Sequence, residues 1–325
     1  MTSGSRSGVA VVGGGVIGLS AGVRLLEAGF GVIVYAAALT PETTSDVAGA
    51  YWYPYRVGPR ERVERWARRT YEALEPLADD PATGVSMRQV VKLLGPDGEE
   101  PWWGGWVRGF AVEPPGRWPP AYAHGHRMTV PLVETPVYMP WLLRRFEALG
   151  GRVVRRRVGS LDELLERHPL VVHCAGLGAR ELAGDDSVIP VRGRVVIVER
   201  PEGLDEGLFG WVEGQRLSYI IPRRDGVLLG GTYEPGETSL ARDPAAVEEI
   251  RRRCVEVEPR LAGAEVLAEK VGLRPVRPEV RVELEERPGG RAVIHDYGHG
   301  GSGYTLSWGC ADEVAELARR WAGPS

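Results

Sequence analysis

Cysteine is scarce in this chain: Cys174, Cys254 and Cys310 are the only three in 325 residues. They are too few and too scattered for a disulfide framework, so a reducing, cytoplasmic setting is expected, with one bridge left open. Lysine is scarcer still. Of the 40 basic residues only Lys92 and Lys270 are lysines, a bias expected of a GC-rich bacterial gene. No apolar run reaches the roughly 18 residues that a bilayer span needs, so no membrane partner is expected. The opening MTSGSRSG has no apolar core and reads as a frayed tail rather than a signal peptide, and the closing AGPS is no peroxisomal address. A formal net charge of -4 gives no reason to invoke nucleic acid. His295 and His299 are four apart, but the intervening glycine denies them one helix face, so no metal is expected. Neither G-x-S-x-G nor a reactive-cysteine context occurs.

The length suggests about two domains. The chain opens as strand, glycine turn, helix, strand: VAVV at 9–12, GGGVIG, a helix ending at Gly29, then GVIVY at 31–35. A continuously apolar strand is what a sheet covered on both faces requires. Residues 59–78 read as one exposed helix with apolar positions at Val63, Trp66, Ala67, Tyr71 and Leu74. From about 95 to 122 tryptophan, glycine and proline dominate without period, and Trp-rich 102–118 reads as core or a subunit contact rather than a ligand box. A helix over 138–151, a strand in RVVRRRV and a buried strand in LVVHCAG follow. Residues 190–232 look antiparallel, with RDG as a hairpin turn. Asp243-Pro244 starts a helix. The strands RVELEE and RAVIHDYG, a glycine turn and a terminal helix close the chain. Parallel-type units at both ends and in the middle, with antiparallel material between them, imply an α/β fold of two interleaved domains.

Gly13, Gly15 and Gly18 form G-x-G-x-x-G between a strand and a helix. The first glycine permits the tight turn and the second lets a pyrophosphate approach the backbone. The third lets helix and strand pack closely, with the helix N-terminus facing the phosphates. A dinucleotide is therefore expected. The acid that usually ends the second strand is missing, since Ala36, Ala37 and Ala38 stand there. A 2′-phosphate would account for that, yet no arginine follows until Arg56. An engineered alanine run is the other alternative. Near the other end, VGLRPVRPEV sets Arg274 and Arg277 each before a proline. Both are thereby biased to extended backbone, where residues three apart face opposite ways. One guanidinium then points inward. A planar guanidinium grips a carboxylate with two parallel hydrogen bonds, which lysine cannot copy. HDYGHGGSGYTLSWG (295–309) adds five glycines at a strand-to-helix junction, where backbone can approach a flat ligand and helix N–H groups can face negative charge.

Taken together, VVGGGVIGLS, TPETTSDVAGAYWYPY, VVHCAGLGA, YIIPR, GGTY, GLRPVRP and HDYGHGGSGYTLSWG resemble, in order, the D-amino-acid oxidase family of flavoproteins. The resemblance covers nearly the whole chain. It implies a Rossmann-type FAD-binding domain (1–78, 130–189 and 272–325) interleaved with a mainly antiparallel β substrate-binding domain (79–129 and 190–271). It implies Arg274 as the carboxylate clamp, Tyr219 as its hydrogen-bonding partner, and Tyr233 over the substrate. Gly301 offers a carbonyl to the amine, while Tyr53 and Tyr55 line the side-chain pocket. For FAD it implies Gly13, Gly15, Val16, Ile17, Gly18, Thr43, Thr44, Ser45, Gly49, Ala50, Val158, Cys174, Ala175, Gly176, Gly300, Gly301, Gly303, Tyr304 and Thr305. Gly49-Ala50-Tyr51 departs from the family's Ala-Gly-Leu. Ala37 and Ala38 replace its acid and arginine, so weak FAD affinity is expected. VEGQRL is short where vertebrate members carry a mobile lid with another tyrosine.

The implied reaction is hydride transfer from a D-amino acid to FAD, with molecular oxygen as oxidant and hydrogen peroxide, a 2-oxo acid and ammonia as products. Positioning supplies the catalysis, and the redox chemistry belongs to the cofactor. Tyr55, where D-aspartate oxidases carry histidine, points to neutral substrates, and Arg216 lies off the spacing of the arginine in their lid. D-aspartate or glycine oxidase, a flavin dehydrogenase, a pyridine-nucleotide enzyme and a non-catalytic nucleotide-binding module remain as alternatives. A homodimer is an open assembly state.

Overall fold

The computed structural model describes residues 6–96, 101–114, 118–211 and 218–323. Strand β1 (Arg6–Val12), helix α1 (Val16–Glu27) and strand β2 (Phe30–Ala36) form the opening unit. Val9, Ala10 and Val11 are fully buried because β1 is covered on both faces and flanked by parallel neighbours on both sides. Helix α2 (Arg60–Leu74) buries all five apolar positions expected of it. The helix expected over 59–78 is shorter in the structure. Pro76, which lacks an N–H, falls in a 3-10 turn over Glu75–Asp79 that ends it.

The chain continues through β3 (Val85–Leu94), β4 (Ala111–Glu113), β5 (His124–Val133), α3 (Thr135–Ala148), β6 (Arg152–Arg155), α4 (Leu161–Leu165), β7 (Leu170–His173) and α5 (Ala179–Leu182). Then come β8 (Ile189–Val198), β9 (Gly207–Trp211), β10 (Ser218–Arg223), β11 (Gly226–Gly230), β12 (Glu234–Pro235) and α6 (Pro244–Val257). Strands β13 (Val266–Arg287) and β14 (Arg291–His299) and helix α7 (Gly303–Ala322) complete it. Asp243 caps α6, accepting from the Ala246 N–H at 3.1 Å.

Among the described residues all fourteen strands join one sheet, in the order β4-β5-β3-β9-β10-β11-β8-β13-β14-β7-β1-β2-β6, with β12 on β8. The stretch β14-β7-β1-β2-β6 is parallel throughout. The remainder is antiparallel except for the β3–β9 pair. Strand β13 joins the two regions. Its first half, to Val276, pairs with β8, and Val276 and then Arg281 onward pair with β14, with a register shift between those two residues. Arg274-Pro275-Val276-Arg277-Pro278 occupies that joint. β5 runs through the domain limit expected at residue 130, and β13 through the one at 272.

Helix α7 packs against both α1 and α2. Gly309 makes the approach to α2 possible: a Cβ there would sit 2.3 Å from the Trp66 carbonyl oxygen. The Trp-rich stretch is core, as expected. Trp103 and Trp106 meet Trp52 edge-on, with ring centroids 5.9 and 5.4 Å away. Such pairs contribute about 0.5–1.5 kcal/mol each beyond burial. All three cysteines are free and buried.

Candidate active site

A cavity of about 670 Å³ opens where the parallel strands end. Val12, Cys174 and His299, at or beside the C-terminal ends of β1, β7 and β14, all line it, as open α/β sheets place their ligands. The glycine fingerprint forms one wall. Gly13 has φ +121°, and a Cβ there would lie 2.3 Å from the Cys174 carbonyl oxygen. Gly18 stands behind the wall rather than in it: its Cβ would meet the Gly13 carbonyl oxygen at 2.0 Å, so it serves close packing. Gly15 caps α1, and Val16 donates its N–H to Ser45 Oγ at 3.0 Å. Ser45 belongs to a turn tied by Asp46, whose carboxylate accepts from Thr43 N–H at 2.9 Å and from Thr40 Oγ1 at 2.7 Å. Thr43, Thr44, Ser45, Gly49, Ala50, Val158, Ala175 and Gly176 also line the cavity, with Ile17, Gly300, Gly303, Tyr304 and Thr305. These residues fit a dinucleotide: a backbone cradle with no room for side chains, closed by a helix N-terminus.

At the end of β2 the wall carries Ala37 and Ala38 beside Arg156 and Arg157. The arginine that the sequence appeared to lack within reach of β2 is therefore supplied from the end of β6. Only the parallel β2–β6 pairing, with Ala36 opposite Arg155, makes them neighbours. The Arg156 guanidinium also lies over the Tyr35 ring, 5.2 Å from its centre.

The opposite end of the cavity is built on the sheet joint. Arg274 lines it, and its Nη1 donates to the Thr232 carbonyl at 3.1 Å and the Arg192 carbonyl at 3.3 Å. Arg277 faces the other way, with Nε 2.9 Å from Asp185 Oδ2. One inward and one outward guanidinium is the arrangement expected of the R-P-V-R-P run. Glycines seat the inward groups. A Cβ on Gly193 would come within 2.4 Å of Arg274 Cζ, and one on Gly230 within 2.0 Å of Tyr219 Cζ. Sequence reasoning passed over both. Their signal was present, since an isolated glycine in an otherwise apolar strand marks a close approach.

Burial raises the Tyr219 phenol above the ordinary range, and the charge of Arg274 partly offsets that. Tyr51, Tyr53 and Tyr55 share the cavity wall with it. Burial raises Tyr55 too, with Arg56 and Arg274 opposing. These phenols are therefore protonated donors at neutral pH. The Tyr53–Tyr55 segment is stitched to the start of α7. Tyr55 N–H donates to Ser302 Oγ at 2.8 Å, and Thr305 Oγ1 donates to the Tyr53 carbonyl at 3.0 Å. Ser302 is a further residue that sequence reasoning missed. Gly301 lies under the Tyr55 ring, where a Cβ would meet Cδ1 at 3.1 Å.

Tyr233, expected over the substrate, stands next to the cavity-lining Tyr55. Its ring packs edge-on behind Tyr55 at 6.4 Å, and the Arg56 guanidinium lies over it at 4.7 Å. Tyr233 follows the end of β11 by three residues. The expected short lid, VEGQRL, and Arg216 lie outside the described residues.

The chain belongs to the family described as FAD dependent oxidoreductase, whose model matches residues 8–317. It is 50% identical over 309 residues to a D-amino-acid oxidase of Rubrobacter xylanophilus, covering 95% of this chain and 94% of that one. It is 39% identical over 329 residues to the human D-aspartate oxidase, covering 95% and 94%. In fold it is similar to a glycine oxidase from Geobacillus kaustophilus, with a TM-score of 0.84 at 22% identity over 97% and 95% of the two chains. The FAD-dependent oxidoreductase fold and cofactor implied by the motifs are thereby established.

Proposed function

We propose that this protein is a bacterial D-amino-acid oxidase acting on neutral D-amino acids. The observation that carries the reading is the inward Arg274, flat on Gly193 and sharing with Tyr219 the cavity that holds the glycine fingerprint. Gly13, Gly15, Val16, Ser45, Gly176 and the start of α7 hold FAD, which supplies the hydride acceptor when bound. The parallel region with its helices is the FAD-binding domain and the antiparallel region the substrate domain, meeting at β13. Arg274 and Tyr219 grip the substrate carboxylate. The Gly301 carbonyl accepts from the amine and fixes the direction of the α-hydrogen. Tyr55 and Tyr53 bound the side chain.

Beside Arg274 the wall carries tyrosines whose phenols burial keeps protonated. These are not bases at neutral pH, which suits a substrate amine that reacts as the free base. Orientation within the clamp then provides the acceleration, several kcal/mol by effective concentration. Overall, a D-amino acid, oxygen and water give a 2-oxo acid, ammonia and hydrogen peroxide. A cytoplasmic location completes the reading, and a homodimer is the assembly to test by size. Tyr55 on the cavity wall, in place of the histidine expected of D-aspartate oxidases, favours neutral substrates.

An absorption spectrum of the FAD-loaded protein before and after anaerobic D-alanine is the test. Bleaching of the flavin band by D- but not L-alanine is expected, with peroxide released on admitting air. Bleaching by D-aspartate alone would move the assignment to an acidic-substrate oxidase, and bleaching by neither enantiomer would overturn it.

A further inference from the structure

We propose that Asp296, His299 and Cys310 form a binding site for a thiophilic divalent transition ion of the Zn²⁺ class in the floor of the cofactor cavity. Asp296 and His299 stand at the end of β14 and Cys310 on α7. All three are buried, and their ligand atoms lie within 4.8 Å of one another. His299 Nε2 is 3.3 Å from Asp296 Oδ1, yet among the described residues neither atom has a hydrogen-bond partner. Side chains only 1% and 3% exposed cannot turn those atoms to bulk water. Leaving a buried polar atom unsatisfied is destabilising, and a shared cation satisfies both at once.

The donor set selects the ion. One thiolate, one imidazole and one carboxylate suit Zn²⁺ and its neighbours rather than Mg²⁺ or Ca²⁺, which prefer oxygen alone. Tetrahedral bonds of about 2.0–2.3 Å place ligand atoms roughly 3.3–3.8 Å apart, so the cluster needs only small side-chain movements to close. On binding, the Cys310 S–H bond breaks, its proton passes to solvent and the sulfur lone pair goes to the ion. No electrons change hands. Asp296 and His299 both line the cavity. Cys174 stands beside the cluster, its Sγ 3.9 Å from Asp296 Oδ2. The cavity is the route in, so bound FAD slows the entry and exit of the ion. Sequence inspection weighed the two histidines of this stretch against each other. The partners of His299 come instead from the same strand end and from the last helix.

This inference is independent of the oxidase reading, and its failure would leave that reading intact. The full-length protein, with and without FAD, is dialysed against Co²⁺ and then against metal-free buffer. The expected result is retention of about one cobalt per chain, a thiolate-to-cobalt charge-transfer band in the near-ultraviolet difference spectrum, and slower uptake with FAD bound. Cys310→Ser should abolish the band and His299→Gln should lower retention at least tenfold. If Cys310→Ser does not fold, Asp296→Asn, which keeps the side-chain shape, should also lower retention at least tenfold. Retained cobalt without a thiolate band, no retention at all, or a band that survives Cys310→Ser and disappears with Cys174→Ala would each overturn the assignment.

Discussion

Lys92 donates a hydrogen bond to the Tyr53 hydroxyl, and its ammonium lies 4.9 Å from the centre of the same ring. One of only two lysines in the chain thus sits immediately behind the cavity wall. Burial lowers it to about 8 from the ordinary 10.5. His126, opposite it on β5, is pushed down to about 4 by burial and then by Lys92 and His124. The charge here is therefore the ammonium's.

Between about 8 and 10.5 the folded chain has released the Lys92 proton while the unfolded chain still holds it. Stability therefore rises with pH across that window. Keeping the buried ammonium charged at neutral pH costs on the order of 3 kcal/mol, offset by about 1 kcal/mol from the Tyr53 hydrogen bond. Lys92→Met should stabilise the protein by about 2 kcal/mol near neutral pH, with the gain fading toward pH 10.5. Urea melts at several pH values check this, and a gain that does not change with pH would refute it.

Arg274 is expected to act on the substrate and not on the cofactor. Arg274→Leu should raise KM for D-alanine by two or more orders of magnitude, consistent with loss of about 3 kcal/mol of charge-assisted bonding. FAD affinity, read by flavin fluorescence, should be unchanged. Arg274→Lys should recover little, because an ammonium cannot supply the planar fork.

Ala37 stands just after β2, where a dinucleotide fold usually carries the acid that accepts from the ribose hydroxyls, and its cavity neighbours Arg156 and Arg157 are only donors. Ala37→Asp should tighten FAD binding roughly tenfold, about 1.4 kcal/mol, by restoring that acceptor. Fluorescence titration of the cofactor-free protein measures it, and unchanged or weaker affinity would sink the idea.

His173 and His295 make the fold sensitive to acid. Their Nδ1 atoms are 3.3 Å apart, and burial, then His295 and Arg281, bring His173 down to about 3. Burial lowers His295 as well, opposed by its hydrogen bond to Glu285. Below the ordinary 6.5 the unfolded chain takes up protons that the folded chain refuses, so stability is full above that value and falls as pH drops toward 3. Each pH unit costs at most about 1.4 kcal/mol per histidine. Melting temperatures between pH 7 and 4 should fall steeply, and His173→Leu should remove about one proton from the slope.

Much of this was legible in the sequence because it is written in local backbone chemistry. The fingerprint glycines, the Asp243-Pro244 helix start and the opposed Arg274 and Arg277 all follow from what single residues permit. What stayed hidden depends on pairing between distant segments. Arg156 reaches the cavity only because β6 lies beside β2. Gly193 and Gly230 become seats only once β13 and β10 lie against them.

The strand that carries Arg274 is hydrogen-bonded to both regions of the sheet at once. A rigid-body swing of one region against the other would have to tear that ladder, so Arg274 and the glycine fingerprint share a fixed frame. Opening motions are then expected at loops of the cavity rim rather than between the two regions.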